Sequence, residues 1–305
     1  MKINLPKHLL WCIGYLAIGS VAIAAGDGES HGLSAKAQVL FTLGPLPITN
    51  SMVTCWVVCL GIVGIIRLTV GAPSLVPDKG QMLVESVIDA VRNVSGPIVG
   101  KKLAGPTFWL MSALFLFILV HNWSGLFPGV GSIGWGKDSH GHVIEPWIRP
   151  GNADLNMTLA LALVSMGAWL YYILRYAGPS VIAKDLFGNK ADKKETPKPI
   201  YLLLFVVFGG VGLIEILSIC FRPISLSFRL YGNVFGGESL LHSMYALGQT
   251  IGGAGSALGT ILSSILLLPF YVLETLIGAV QALVFMLLVS VYIGLICNHG
   301  EDEHH

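Results

Sequence analysis

Long apolar runs separated by short polar breaks set the pattern of this chain. A first run, Leu9 to Ala25, follows Lys2 and Lys7 and ends in Val21-Ala22-Ile23-Ala24-Ala25-Gly26. A charged start, an apolar middle and small residues at the end are the features of a secretory signal. The other reading of residues 1–26 is an uncleaved anchor helix. Residues 27–47 are polar and then turn-like at Gly44-Pro45-Leu46-Pro47. Either reading of the first run places them outside the cytoplasm.

The next run, Thr49 to Ile66, is long enough to span a bilayer and is closed by Arg67 and Gly71-Ala72-Pro73. Residues 77–95 differ. Met82, Leu83, Val87, Ile88 and Val91 recur at helical spacing against Asp78, Glu85, Asp89 and Arg92. That predicts an amphipathic helix lying on the membrane surface. A second span is expected over Phe108–Leu126. The third is opened by Asp154 and Asn156 and ends at Arg175. Asp154 stands where a helix N-cap belongs.

Two longer runs follow, Tyr201–Leu247 and Ala257–Cys297, joined by Gly252-Gly253-Ala254-Gly255-Ser256, which reads as a flexible hairpin. The second, taken as one helix, would be about 60 Å long, against a hydrocarbon core of about 30 Å. Each run either breaks into two spans, with Pro223 and Pro269 marking the breaks, or is one steeply tilted helix. The tail, 298–305, is polar and reads as frayed. The pattern predicts an all-α polytopic membrane protein: about five membrane helices, the last two forming a hairpin, plus one surface helix. The membrane domain is expected over 48–297, with the paired helices at 200–297.

Composition agrees. Hydrophobic residues make up 54% of the 305 positions, charged residues 11%, and mean hydropathy is +0.74, which excludes an ordinary soluble globule. A net charge of +1 gives no electrostatic case for nucleic acid. Arg67, Arg92, Lys101 and Lys102 form one basic stretch, and Arg175, Lys184, Lys190, Lys193, Lys194 and Lys198 form another. Both are expected on the cytoplasmic side, and the two spans between them keep the parity. Cys12, Cys55, Cys59, Cys220 and Cys297 lie in apolar runs without metal or disulfide spacing and read as small buried hydrophobes. The loop Phe127–Asn152 carries His140, His142 and Glu145, and reads as a solvated loop with interfacial tryptophan rather than a metal site. No nucleophile–base pair, phosphate loop or metal-ligand spacing appears, so neither an enzyme nor a bound cofactor is expected.

The chemistry lies in the last hundred residues. Arginine inside an apolar helix costs roughly 2.5–3.5 kcal/mol, so charge at such depth marks an ion path, a counter-charge or a relay. Glu215, Arg222 and Arg229 are spaced by seven and share one helical stripe, with Asn233 near it. Glu238 lies nine positions after Arg229, close to the opposite side, with His242 one turn further on. Gly232, Gly236 and Gly237 keep the helix thin there, so that another helix can approach. Glu274 and Gln281 are again seven apart, and an antiparallel hairpin would bring Glu238 and Glu274 together. The plainer alternative is that Glu215 neutralises Arg222 only to let the segment insert.

Arg229-Leu-Tyr-Gly-Asn233-Val-Phe-Gly-Gly-Glu238, followed by Leu268-Pro269, Glu274 and Gln281-Ala-Leu-Val-Phe, resembles subunit a of the rotary F-type ATP synthase. Asn152-Ala-Asp154-Leu-Asn156 is similar to that family's segment before the third span, and Asn122 matches its polar position in the second. The resemblance covers about residues 40–297. It implies the stator half of an ion turbine in a bacterial inner membrane, set against a ring of c-subunits in the lipid and held by peripheral-stalk b subunits. Two offset half-channels would feed the ring carboxylates with protons or sodium ions. Arg229 would be the stator arginine. Glu215, Asn233, Glu238, Glu274 and Gln281 would fall on polar positions of the channel, and Asn122, Asp154 and Asn156 would be candidates for its lining. The C-terminus would be cytoplasmic. Cleavage of the first segment would leave a mature chain beginning near Ala25 or Gly26. Intact mass of the purified subunit checks this, and retention of Met1 would make the segment an anchor.

Overall fold

The computed structural model describes residues 37, 39–43, 46–71, 74, 76–127, 130, 134–137, 143–176, 178–179 and 198–302. The signal-like segment 1–26, His140 and His142, and Lys184, Lys190, Lys193 and Lys194 lie outside the described residues. Among the described residues six helices carry the fold: α1 (Asn50–Val70), α2 (Lys79–Val99), α3 (Lys101–Ser124), α4 (Leu155–Tyr176), α5 (Lys198–Gly252) and α6 (Ala257–Asp302). Among the described residues, α1, α3, α4, α5 and α6 are long and apolar enough to cross a membrane. The chain is an all-α polytopic membrane protein, as the hydropathy pattern predicts.

The two longest runs resolve the length question. Helix α5 continues through 55 residues and α6 through 46, each with its proline inside. Neither Pro223 nor Pro269 breaks its helix. A proline removes one backbone hydrogen bond, a smaller loss than exposing two helix ends in an apolar medium. At about 1.5 Å per residue, α5 extends for about 80 Å. Helix α6 also absorbs the first residues of the tail expected to fray, running on to Asp302.

The chain divides into two compact units, and several helices contribute segments to each. One comprises residues 1–84, 115–158 and 230–283. It holds a hairpin of β1 (Val39–Leu43) and β2 (Leu46–Thr49), paired antiparallel with Leu43 opposite Leu46. The reading from sequence had only a turn here. Thr49 then caps α1, its hydroxyl accepting from the Met52 N–H at 3.4 Å. Only the first turn of α1 is buried, through Asn50, Ser51 and Thr54, and the apolar remainder is largely exposed. An exposed apolar surface of this kind suits lipid rather than water. A second antiparallel pair, β3 (Gly134–Lys137) and β4 (Val143–Pro146), lies within the stretch read from sequence as a plain loop, with Trp135 opposite Glu145.

In the same unit α5 and α6 pack antiparallel through small residues. A side chain at Gly248 would overlap the Ser263 backbone, and one at Gly252 would overlap Gly259. The connection is held rather than flexible. Gly253 and Gly255 take φ of 88° and 74°, open to glycine at little cost. The Gln249 side-chain carbonyl accepts from the Gly255 N–H at 3.2 Å. Ser256 Oγ donates to the Gly252 carbonyl at 2.6 Å and accepts from the Gly259 N–H at 2.9 Å. Ser263 Oγ, fully buried, donates to the Tyr245 carbonyl at 2.9 Å.

The other unit comprises residues 85–114, 159–229 and 284–305. Within it, Met111 on α3, Ile173 on α4, and Phe285, Met286 and Ile293 on α6 are fully buried. A side chain at Gly294 would overlap the Ile98 carbonyl, so α2 and α6 touch backbone to backbone there. Trp169 Nε1 donates to the Tyr292 carbonyl at 2.8 Å, and the Tyr172 hydroxyl donates to the Pro106 carbonyl at 2.9 Å.

Candidate functional site

The first concentration of polar side chains lies where α3 ends and α1 and α4 begin. A 3-10 turn, Gly151–Ala153, leads into α4. Asp154 caps that helix: its Oδ1 accepts from the Asn156 N–H at 3.1 Å, as its sequence position predicts. Its Oδ2 does something further, accepting from Ser51 Oγ on α1 at 2.8 Å. Both residues are buried, so this bond fixes the start of α1 against the start of α4. Arg149 adds a second tie. Its backbone N–H donates to Thr54 Oγ1 at 3.1 Å, while its guanidinium donates to the Ala153 carbonyl at 3.0 Å.

Asn122 joins this cluster to α6. Its side-chain N–H donates to the Gly278 carbonyl at 2.9 Å, and its Oδ1 accepts from Asn152 Nδ2 at 2.7 Å. Gly278 permits the approach, since a Cβ there would lie 3.1 Å from the Asn122 Cβ. The neighbouring Trp123 donates its indole N–H to the Thr275 carbonyl at 3.1 Å. The Tyr271 hydroxyl bonds the Leu126 carbonyl. Three side-chain-to-backbone bonds thus lock the end of α3 onto α6, and each answers a polar group that would otherwise stand alone in apolar surroundings.

The second concentration lies between α5 and α6. Asn233 Nδ2 donates to Gln281 Oε1 at 2.8 Å. One turn along α5, Gly237 lies directly under Glu274: a Cβ at Gly237 would overlap the Glu274 carboxyl. Glu238 is next in the chain and partly buried, and both Arg149 and Glu274 lie within electrostatic reach of it. Glu238 and Glu274 thus act on each other electrostatically across the hairpin, while the direct contact of Glu274 is with Gly237. Gly237 is the device that makes room for it. Gln281 is 5% exposed, and its Nε2 has no hydrogen-bond partner among the described residues.

The two arginines within the apolar body of α5 are treated differently. Arg222 is enclosed. Its guanidinium donates to Glu215 Oε1 at 2.7 Å and stacks over the rings of Tyr292 at 4.6 Å and Trp169 at 5.9 Å. Glu215 thus compensates Arg222 directly, as the plainer reading has it. Arg229 is exposed and has no ion pair or side-chain hydrogen bond among the described residues. A guanidinium remains charged throughout the physiological range, and no counter-charge for it stands among the described residues.

Among the other expected site residues, Asn122 and Asp154 are buried in the first cluster, whereas the Asn156 side chain is exposed and contributes only its backbone N–H. His242 is exposed on α5. Sequence reasoning missed Arg149, Asn152 and the ties made by Trp123 and Tyr271. Arg149 and Asn152 sit in a loop with no periodicity to assign them a face. Gly237, read from sequence as thinning α5 for a neighbour's approach, does so beneath Glu274. Among the described residues no group of histidine, cysteine and carboxylate side chains could hold a metal ion.

Asn122→Leu removes the partner of a fully buried Asn152 amide and the tie to Gly278. The expected cost is about 1–3 kcal/mol. Denaturant unfolding of the purified subunit in detergent checks it, and an unchanged midpoint would show that the amide finds another acceptor.

In one unit the described residues place a pair of carboxylates and buried amides at a helix crossing, and in the other Arg229 stands exposed with no ion pair among the described residues. A family model described as the ATP synthase A chain matches residues 52–294, which include every one of these groups except Asn50 and Ser51 at the first turn of α1. With four-fifths of its length matched, the chain belongs to the ATP synthase A chain family, subunit a of the F-type enzyme's membrane sector.

Proposed function

We propose that this chain is the stator half of a rotary ion turbine, with Arg229 as the charge that faces a passing ring of c-subunits. The observation that carries the reading is the contrast between the two arginines. Arg222 has its carboxylate in the chain and a sandwich of rings around it. Arg229 is left open on the same helix, one stripe-step further on. An uncompensated guanidinium on an apolar surface fits a partner surface that brings a carboxylate. It would favour the deprotonated ring carboxylate at the point of closest approach. It would also block direct passage of a cation between two half-channels.

Asn233, Glu238, Glu274 and Gln281 form the path nearest the ring on this reading, with Asn122 and Asp154 along the outer access to it. Glu215, partly exposed beside Arg222, belongs to the inner access. The basic loops support a cytoplasmic position for that side and for the C-terminus, with the first turn of α1 on the opposite side. The assignment is to a bacterial inner membrane, with b subunits bracing the stator. The long α5 and α6 lie steeply tilted, since about 80 Å of apolar helix exceeds the bilayer core. Protons fit the carboxylate path, and a ring selective for sodium would use the same arginine.

The test is ATP-driven ion pumping by the assembled complex in vesicles, in proton and in sodium media. Arg229→Ala is expected to bring pumping to background while the c-ring still co-purifies. Arg229→Lys is expected to recover little, because an ammonium can lose its proton and lacks the planar fork. Glu238→Gln and Glu274→Leu are expected to slow pumping several-fold, and Glu274→His to do so less, since imidazole still relays a proton. Normal pumping by Arg229→Ala would overturn the stator reading. Wild-type rates at every pH in all three glutamate variants would route the path elsewhere.

A further inference from the structure

His121 is fully buried at the end of α3, and neither of its ring nitrogens has a hydrogen-bond partner among the described residues. The ring packs tilted against Phe117, centroids 4.5 Å apart. The edge carrying Nδ1 lies against Gly151: a Cβ there would come within 3.0 Å of Cε1 and 3.2 Å of Nδ1. One residue along the same turn, Asn152 is also fully buried, with its Oδ1 unpartnered and its Nδ2 given to Asn122. Asp154, held by Ser51, follows two residues later.

Three unpartnered polar atoms in one buried cluster need an explanation. A neutral imidazole is one donor and one acceptor. Leaving both unmet in apolar surroundings costs several kcal/mol, and native proteins meet such groups with internal water. A histidine needed only for packing would give at least one nitrogen to a neighbouring carbonyl, as Trp123 and Asn122 do from the same turn of α3. This ring is held by shape alone.

We propose that His121 is an additional proton-relay group in the outer access path, exchanging protons with water on both edges of its ring. The inference rests on the ion-translocating reading above. A hydronium on one side gives its proton to the unprotonated ring nitrogen and becomes water, as the N–H bond of the other nitrogen breaks and its proton passes to a second water, which becomes the hydronium. One N–H bond forms and one breaks, and the imidazole is neutral before and after. A turn of the ring then brings its unprotonated nitrogen back to the delivering side, and no hydrogen bond to protein among the described residues opposes that turn. Asn152 Oδ1 orients one of the two waters. Asn122 links this site to α6, the helix that carries Glu274.

The experiment measures ATP-driven proton uptake by the assembled complex in vesicles, with His121→Gln, His121→Leu and Arg229→Ala in parallel. Co-purification of the c-ring and the melting temperature are recorded for each. Glutamine can hold the waters but cannot take a proton on one side and release one on the other. Both His121 variants are expected to pump at least threefold more slowly than wild type, with assembly and melting temperature unchanged for His121→Gln. If His121→Leu fails to assemble, His121→Gln decides. A wild-type rate for His121→Gln would overturn the relay, as would its failure to assemble, which would make the imidazole a packing element. Loss of pumping in Arg229→Ala beside a normal His121→Gln would overturn this inference alone. Normal pumping in Arg229→Ala would overturn the stator reading and the relay together.

Discussion

A polar group buried in an apolar helix must be answered by another polar group or by internal water, because no bulk water is at hand to answer it. The structure depends on how that demand is met. The bonds from Asn122 to Gly278 and from Trp123 to Thr275 hold α3 against α6, and Ser51 to Asp154 holds α1 against α4. These contacts do the work that a hydrophobic core does in water. The apolar side chains gain little from preferring one another over lipid. Polar pairs and close backbone approaches therefore select which faces meet.

Small residues supply the second half of the same solution. Gly248 opposite Ser263 and Gly252 opposite Gly259 bring α5 and α6 to backbone contact near their connection. That register carries Gly237 under Glu274 and Asn233 onto Gln281. Two carboxylates and two amides are thereby collected at one crossing. Glu215 is the counter-example. Bound to Arg222 at 2.7 Å, it shows what a compensated charge looks like in this chain, and so throws into relief what Arg229 lacks.

Much of this was legible in the sequence, and the limits have physical causes. Apolar run length gave the spans, and the spacing by seven gave the stripe of Glu215, Arg222 and Arg229, because both depend only on helical period. Proline misleads in the long runs: Pro223 and Pro269 read as possible breaks, yet the apolar medium favours an unbroken helix over two exposed ends. The strands escaped notice because Val39–Leu43 and Gly134–Lys137 are too short to show alternation. Arg149 and Asn152 were not legible as site residues, since a loop fixes its side chains only through tertiary contacts. His121 was visible as a histidine. Its isolation at the end of α3 was not, because only the folded surroundings reveal which partners are missing.

On the proposed reading the buried polar groups from Asp154 to Gln281 line a path rather than merely staple helices together. An experimental density map of the assembled complex, sharp enough to place ordered water, tests this most directly. A file of waters is expected to reach His121 and Asn152 from the Asp154 side and to continue to Glu238, Glu274 and Nε2 of Gln281. Dry, closed packing around these side chains, with every nitrogen and oxygen bonded to protein, would contradict it.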